Sequence, residues 1–202
     1  MRERIIRMDN ITLPSLICQQ GDAEPPVGMD RGTYKFLSVG RFCSAKNFDN
    51  VPDICRILRK AGCDVHWYLI GFGGDEALIR SKIIETEMED FITILGKKTN
   101  PYPYMKACDL YVQPSRYEGN CVAVHEAQIL GKPVVITRYA TSASQLEDGV
   151  DGVIVPMDNE GCAEGIAALL RDPARMEQLS QVCKSRDYSN REEVKKLYQL
   201  LG

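Results

Sequence analysis

Long apolar runs are missing from this chain. No stretch approaches the roughly 20 residues that a membrane-spanning helix requires. The opening Met-Arg-Glu-Arg-Ile-Ile-Arg-Met-Asp holds no apolar core long enough for a secretory signal, so the expected compartment is the cytosol. An excess of positive charge is missing too. Lys and Arg number 25 against 28 Asp and Glu, for a formal net charge of -3 and a pI near 5.5. That balance argues against a nucleic-acid binder driven by bulk charge. Histidine is scarce (His66 and His125), and no Cys-x-x-Cys pair occurs, so no structural metal is expected. The eight cysteines, at 18, 43, 55, 63, 108, 121, 162 and 183, are scattered and read as reduced, mostly core-filling thiols. There is no internal repeat, no low-complexity segment and no basic amphipathic helix to lie on a membrane.

What is present is the composition of an ordinary soluble fold, 44% hydrophobic and 26% charged, in a length suited to one domain with appendages. Residues 1–30 carry little periodicity, and Gly-Asp-Ala-Glu-Pro-Pro-Val-Gly-Met-Asp (21–30) has the composition of a linker. From Thr33 onward, short apolar runs alternate with helical patterns. Strands are expected at 34–39, 64–70, 91–95, 109–113, 133–136 and 153–155. Helices are expected at about 47–61, 75–87, 101–107, after 113, and at 160–170, 173–186 and 190–201. Strands that read as continuous apolar runs are buried on both faces, and their alternation with helices implies a parallel, doubly wound α/β sheet of Rossmann type.

The strand ends carry the chemistry. After the first strand come Gly40, Arg41 and Lys46, a tight turn and two cations suited to a diphosphate, or simply a basic solvated loop. After the second strand, Gly71, Gly73 and Gly74 lack dinucleotide-loop spacing and read better as a tight turn with Asp75 as helix N-cap. After the third comes Leu95-Gly96, where Leu95 could lie beneath a nucleobase. After the fourth, Glu118 stands in the loop and Glu126 about a turn and a half into the helix. Both acids lie at the edge where open α/β sheets bind ligands, beside a helix N-terminus that favours phosphate oxygens. They are open to four readings: an acid–base pair, surface carboxylates, metal ligands, or acceptors for sugar hydroxyls. His125 points off the Glu126 side by about 100° of helix, which weakens the metal reading.

The stretch Glu118-Gly-Asn-Cys-Val-Ala-Val-His-Glu126 resembles the Glu–seven residues–Glu signature of the retaining family 4 (group 1) glycosyltransferases. Gly40-Arg41 with Lys46 resembles that family's phosphate pair. Gly131-Lys-Pro-Val-Val-Ile and Asp148-Gly-Val-Asp-Gly-Val-Ile-Val-Pro156 resemble its closing strands. The resemblance implies the C-terminal half of a GT-B fold, with residues 1–32 as interdomain segment, 33–186 as donor-binding domain, 187–202 as crossover helix, and the acceptor domain absent.

By the same resemblance Glu126 binds ribose hydroxyls and Glu118 the donor sugar. Arg41 and Lys46 meet the diphosphate, and the backbone of Gly119, Asn120, Cys121 and Val122 caps oxygens, with Gly40, Gly71 and Leu95 completing the site. The resemblance then implies Glu118, Arg41 and Lys46 as the catalytic residues. The family departs at Asn120 and Cys121, where a large apolar residue and Pro are common, and Cys121 is expected to be an exposed, alkylatable thiol. The implied activity is retaining hexosyl transfer from a nucleotide sugar, with UDP favoured, to a glycan or lipid-linked acceptor. No cofactor is implied, and the lack of an Asp-x-Asp motif agrees with metal-free stabilisation of the leaving group. Any membrane contact is peripheral, through the absent half. A non-catalytic nucleotide-sugar-binding module and a nucleotide-sugar epimerase remain alternatives.

Overall fold

The computed structural model describes residues 13–24 and 26–189. Six strands form one sheet: β1 (Tyr34–Arg41), β2 (Val65–Phe72), β3 (Ile92–Gly96), β4 (Leu110–Gln113), β5 (Val134–Thr137) and β6 (Val153–Val155). Every pairing is parallel and the order is β3-β2-β1-β4-β5-β6, the Rossmann-like arrangement expected. Among the described residues eight helices accompany it: α1 (Pro14–Gly21), α2 (Val51–Lys60), α3 (Glu76–Glu85), α4 (Tyr102–Ala107), α5 (Val122–Ile129), α6 (Ser142–Gln145), α7 (Asn159–Leu170) and α8 (Pro173–Ser185). The helix expected at 190–201 lies outside the described residues.

Side chains alternate across the sheet and build two cores. Phe36, Trp67, Leu69 and Val112 pack under α2, α3 and α7. Leu37, Tyr68, Ile70 and Tyr111 pack under α4 and α5. Each fully buried side chain of this size contributes about 1.5–3 kcal/mol, and β2 buries every residue from Val65 to Gly71. The indole of Trp67 donates to Ser38 Oγ at 2.9 Å, and Ser38 Oγ donates to the Val112 carbonyl, so these two buried polar groups are satisfied.

Two features position the functional edge. First, β1 and β2 run two residues beyond the expected strand ends, to Arg41 and Phe72. Glycine makes this possible: a Cβ on Gly71 would stand 1.9 Å from the Gly40 carbonyl oxygen. Second, β1 pairs with β4 only through Phe36–Leu110 and Leu37–Tyr111. Beyond these pairs the backbone pairing stops, at the point where the strand order reverses and where open α/β sheets bind their ligands.

The expected helix from residue 47 starts only at Val51. Asn47 is left-handed (φ 59°) and separates two short 3-10 turns, Ser44–Lys46 and Phe48–Asn50. At the chain's start, α1 was not expected from the sequence. It packs on α4 and α5, with Asn100 donating to the Gln20 carbonyl at 2.9 Å. Asp75 does stand at the N-cap of α3, but its side chain makes no capping bond.

Candidate functional site

The loops that follow β1 and β4 are tied together by hydrogen bonds. Buried Asn47 donates from Nδ2 to the Pro114 carbonyl at 2.8 Å, and the Arg116 amide donates to the Ala45 carbonyl at 2.9 Å. Arg116 also forks onto Asp49 with bonds of 2.9 and 2.8 Å, an arrangement that holds the Asp49 carboxyl below its usual range. The loop after β1 and the loop before α5 therefore form one rigid wall.

On that wall the structure joins Lys46 to Glu118. Lys46 Nζ donates to Glu118 Oε1 at 2.6 Å, with only 19% and 10% of the two side chains exposed. Gly40 makes room for the lysine, since a Cβ there would lie 3.2 Å from Lys46 Cε. Burial opposes the charge on Lys46, but the Cys121 sulfur and the Glu118 carboxylate outweigh it and raise its pKa above the ordinary value.

Glu118 Oε1 also accepts from Ser115 Oγ at 2.6 Å. Ser115 accepts in turn from Gln113 Nε2 at 2.9 Å, and Gln113 Oε1 accepts from the Tyr111 hydroxyl at 3.0 Å. This buried polar chain runs from the sheet interior to the carboxylate and fixes its orientation. None of Asn47, Gln113 or Ser115 was identified from the sequence. Ser115, three residues before Glu118 in a loop, is the one that spacing could have suggested.

Glu126 is held differently. It lies on α5 and accepts from the Tyr102 hydroxyl of α4 at 2.8 Å. Burial raises its pKa, partly offset by the Tyr102 bond. The two acids are thus not hydrogen-bonded as a pair. Each has its own partner, and the buried Tyr111 phenol, whose acidity is suppressed first by burial and then by Cys121 and Glu126, lies within the field of both regions. His125 turns away, its ring 6.5 Å from that of Tyr188.

Arg41 is exposed at the end of β1, and its side chain has no hydrogen-bond or ion-pair partner among the described residues. At the start of α5, the amides of Gly119, Asn120 and Val122 find no acceptor among the described residues. The Cys121 amide departs from the expected role, because it donates to Gln145 Oε1 at 2.7 Å while Gln145 Nε2 returns a bond to the Cys121 carbonyl. Cys121 also departs from the expected reactivity. Its side chain is buried, and burial pushes the thiol up to about 11 although Lys46 pulls the other way. Gly71 is buried and serves the close approach of β1 to β2. Leu95 is half-buried at the end of β3 and packs on the second core, within 3.7 Å of where a Gly28 Cβ would stand. A separate cleft of about 440 Å³, lined by Lys106, Lys132 and Lys184, sits at the amino ends of β1, β4 and β5, away from these groups.

Comparison with known proteins identifies the family and the fold. Residues 21–186 match the family model of the glycosyl transferases group 1. Amylovoran biosynthesis glycosyltransferase AmsK of Erwinia amylovora is 31% identical over 144 residues, 67% of this chain and 35% of its own length. Staphylococcus aureus TarM, solved with UDP among its ligands, superposes with a TM-score of 0.79 at 21% identity, over 98% of this chain and 39% of that one. The C-terminal domain of a group 1 glycosyl transferase (LpcC) from Francisella tularensis superposes with a TM-score of 0.67 at 18% identity, covering 86% of this chain and 94% of that domain. The chain thus spans well under half the length of the curated relatives it matches. Its sheet, its ordered strand-end motifs and the family match agree: this chain belongs to the group 1 glycosyl transferases, as a domain of the GT-B type.

Proposed function

We propose that this domain binds a nucleoside diphosphate sugar, a UDP-hexose by preference, and presents it for transfer with retention at the anomeric carbon. The acceptor, a glycan or a lipid-linked glycan, is held by a part of the enzyme outside this domain. Any contact with the cytosolic membrane face is peripheral and made from that part. Among the described residues no helix is long and apolar enough to cross a membrane.

The observation that carries the reading is the Lys46–Glu118 pair, set at the topological switch point beside a helix start with unpaired amides. Arg41, Lys46 and the amides of Gly119, Asn120 and Val122 supply donors to a diphosphate. Glu118 and Glu126 supply acceptors for hydroxyls of the sugar and the ribose. Their work is positioning. Negative charge grows on the diphosphate as the glycosidic bond breaks, so donors held there act more strongly on the transition state than on the bound donor. The reading assigns no metal and no cofactor to that step. Losing Arg41 should lower the transfer rate of the complete enzyme by about 10²–10³, the usual effect of removing one such donor.

Isothermal titration with UDP, GDP and ADP tests the assignment. UDP should bind most tightly, and Glu126→Ala should weaken it. Equal affinity for all three bases would remove the UDP preference, and no binding by wild type would remove the site. Incubation of the complete enzyme with labelled donor but no acceptor should leave the sugar unchanged, whereas an isomerised sugar would favour an epimerase.

A further inference from the structure

The end of β5 and the segment after it frame the Glu118 loop, and one hydroxyl there has no partner among the described residues. Thr137 Oγ1 donates to the Ser115 carbonyl at 2.5 Å, Thr141 Oγ1 to the Glu118 carbonyl at 2.6 Å, and Gln145 clamps both backbone groups of Cys121. Tyr139 lies among them with 2% of its surface exposed, its backbone fixed by bonds to Thr137 and from Ser142. Its ring shares an apolar cluster with Cys121, whose sulfur accepts from Lys46 Nζ at 3.8 Å. Its hydroxyl is buried and makes no hydrogen bond among the described residues. Burial, then the neighbouring Cys121 and Glu118, suppress its acidity, so the phenol stays a protonated donor and stands in the field of the Lys46–Glu118 pair. Buried hydroxyls are rarely left unpaired, because the unmade bond is a net cost to the fold.

The ligand-free pair poses a problem that such a donor solves. Lys46 spends its charge on Glu118. A diphosphate that draws Lys46 away leaves Glu118, 10% exposed, with the Ser115 hydroxyl and no cation. A desolvated carboxylate that loses a donor is costly and is no longer held in one orientation, which would weaken it as an acceptor for sugar hydroxyls. Resting on the donor-site reading above, we propose that Tyr139 is a positioning residue. Its hydroxyl takes the place of Lys46 at Glu118 when the diphosphate of the donor engages the lysine, and it keeps the carboxylate hydrogen-bonded and aimed at the sugar.

The test compares wild type, Tyr139→Phe, Glu118→Gln and the double variant by titration with UMP, UDP and UDP-glucose, alongside thermal unfolding. Tyr139→Phe removes an unpaired hydroxyl, so the ligand-free melting temperature should hold or rise. UMP affinity should stay near wild type, because UMP carries no diphosphate to withdraw Lys46. UDP-glucose affinity should fall about tenfold or more, the weight of one hydrogen bond to a charged group. In the Glu118→Gln background, Tyr139→Phe should have little further effect. Unchanged UDP-glucose affinity in Tyr139→Phe would overturn the proposal and leave the donor site standing, as would an equal loss for all three ligands. Failure of wild type to bind UDP-glucose would overturn both.

Discussion

Removing either member of the Lys46–Glu118 pair should destabilise the ligand-free chain, and removing both should cost less than the sum. The magnitude follows from burial. Breaking a fully buried ion pair from one side costs about 3–5 kcal/mol, because the remaining charge is stranded. Here 19% of Lys46 and 10% of Glu118 are exposed, and the Ser115 hydroxyl stays with the carboxylate. About 2–3 kcal/mol is therefore expected for Lys46→Met, a substitution of similar volume, and a similar loss for Glu118→Gln. For a domain of this length each kcal/mol moves the midpoint by about 2–4 °C, so each variant should melt about 4–12 °C lower. In the double variant no charge is stranded, and the coupling energy should be about 1–3 kcal/mol. The sign with pH is set by the lysine. Its pKa is raised on folding, so its contribution is fully present below the ordinary value of 10.5 and is lost as pH rises through the higher folded value. The gap between wild type and Lys46→Met should hold across neutral pH and close only above about 10.5. Calorimetric unfolding of the four proteins reads all of this. Single losses that add within about 0.5 kcal/mol would refute the coupling.

Glu126→Gln should separate stability from binding. Burial raises the Glu126 pKa, so the folded state is favoured when the group is protonated, and that benefit is lost as pH rises through the raised value. The variant should therefore melt at or above wild type near pH 7–8 while binding UDP about 10–150-fold more weakly, from one lost charged hydrogen bond; a lower midpoint with unchanged affinity would contradict both statements. Gly71→Ala should unfold the functional edge, with a loss of about 1–3 kcal/mol or more in chemical denaturation, because its Cβ would sit 1.9 Å from the Gly40 carbonyl oxygen. Iodoacetamide at pH 7.5, followed by peptide mass mapping, should label exposed Cys18 before Cys121, whose thiol is buried and pushed up to about 11.

The sheet was legible because its strands are short apolar runs between helical patterns, a signal that needs no tertiary knowledge. Their ends were not. Val39 and Ile70 look like stops because glycine follows each, yet those glycines let the two strands pair on to Arg41 and Phe72. Asn47 reads as a helix start, but its amide is committed to Pro114 across 67 residues of chain, and the helix waits until Val51. Helix α1 is short, opens on Pro14 and buries only Ile17 and Gly21, so tertiary packing and not pattern stabilises it. The composition of residues 21–30 suggests a linker, but Met29 is buried, and next to it the Arg31 backbone exchanges bonds with the Tyr68 hydroxyl at 2.8 and 3.1 Å.

Within the site, the residues with strong chemistry at fixed spacing were visible: Arg41, Lys46, Glu118 and Glu126. The residues that hold them were not. Tyr102 and Gln145 act on partners 24 residues away in the chain, so their roles exist only once the helices are assembled, and Gln113 and Ser115 act on near neighbours that only the folded loop after β4 brings into bonding geometry. Cys121 shows the converse error. Its place at a helix start suggested exposure, whereas the packing of α5 against the segment after β5 buries it.

The central claim is where the nucleotide sugar sits, and amide chemical-shift mapping with UDP-glucose tests it most directly. The account predicts the largest shifts at Gly40–Lys46 and Gly119–Val122, at the carboxyl ends of β1 and β4. Shifts concentrated instead around Lys106, Lys132 and Lys184, at the opposite edge of the sheet, would contradict it.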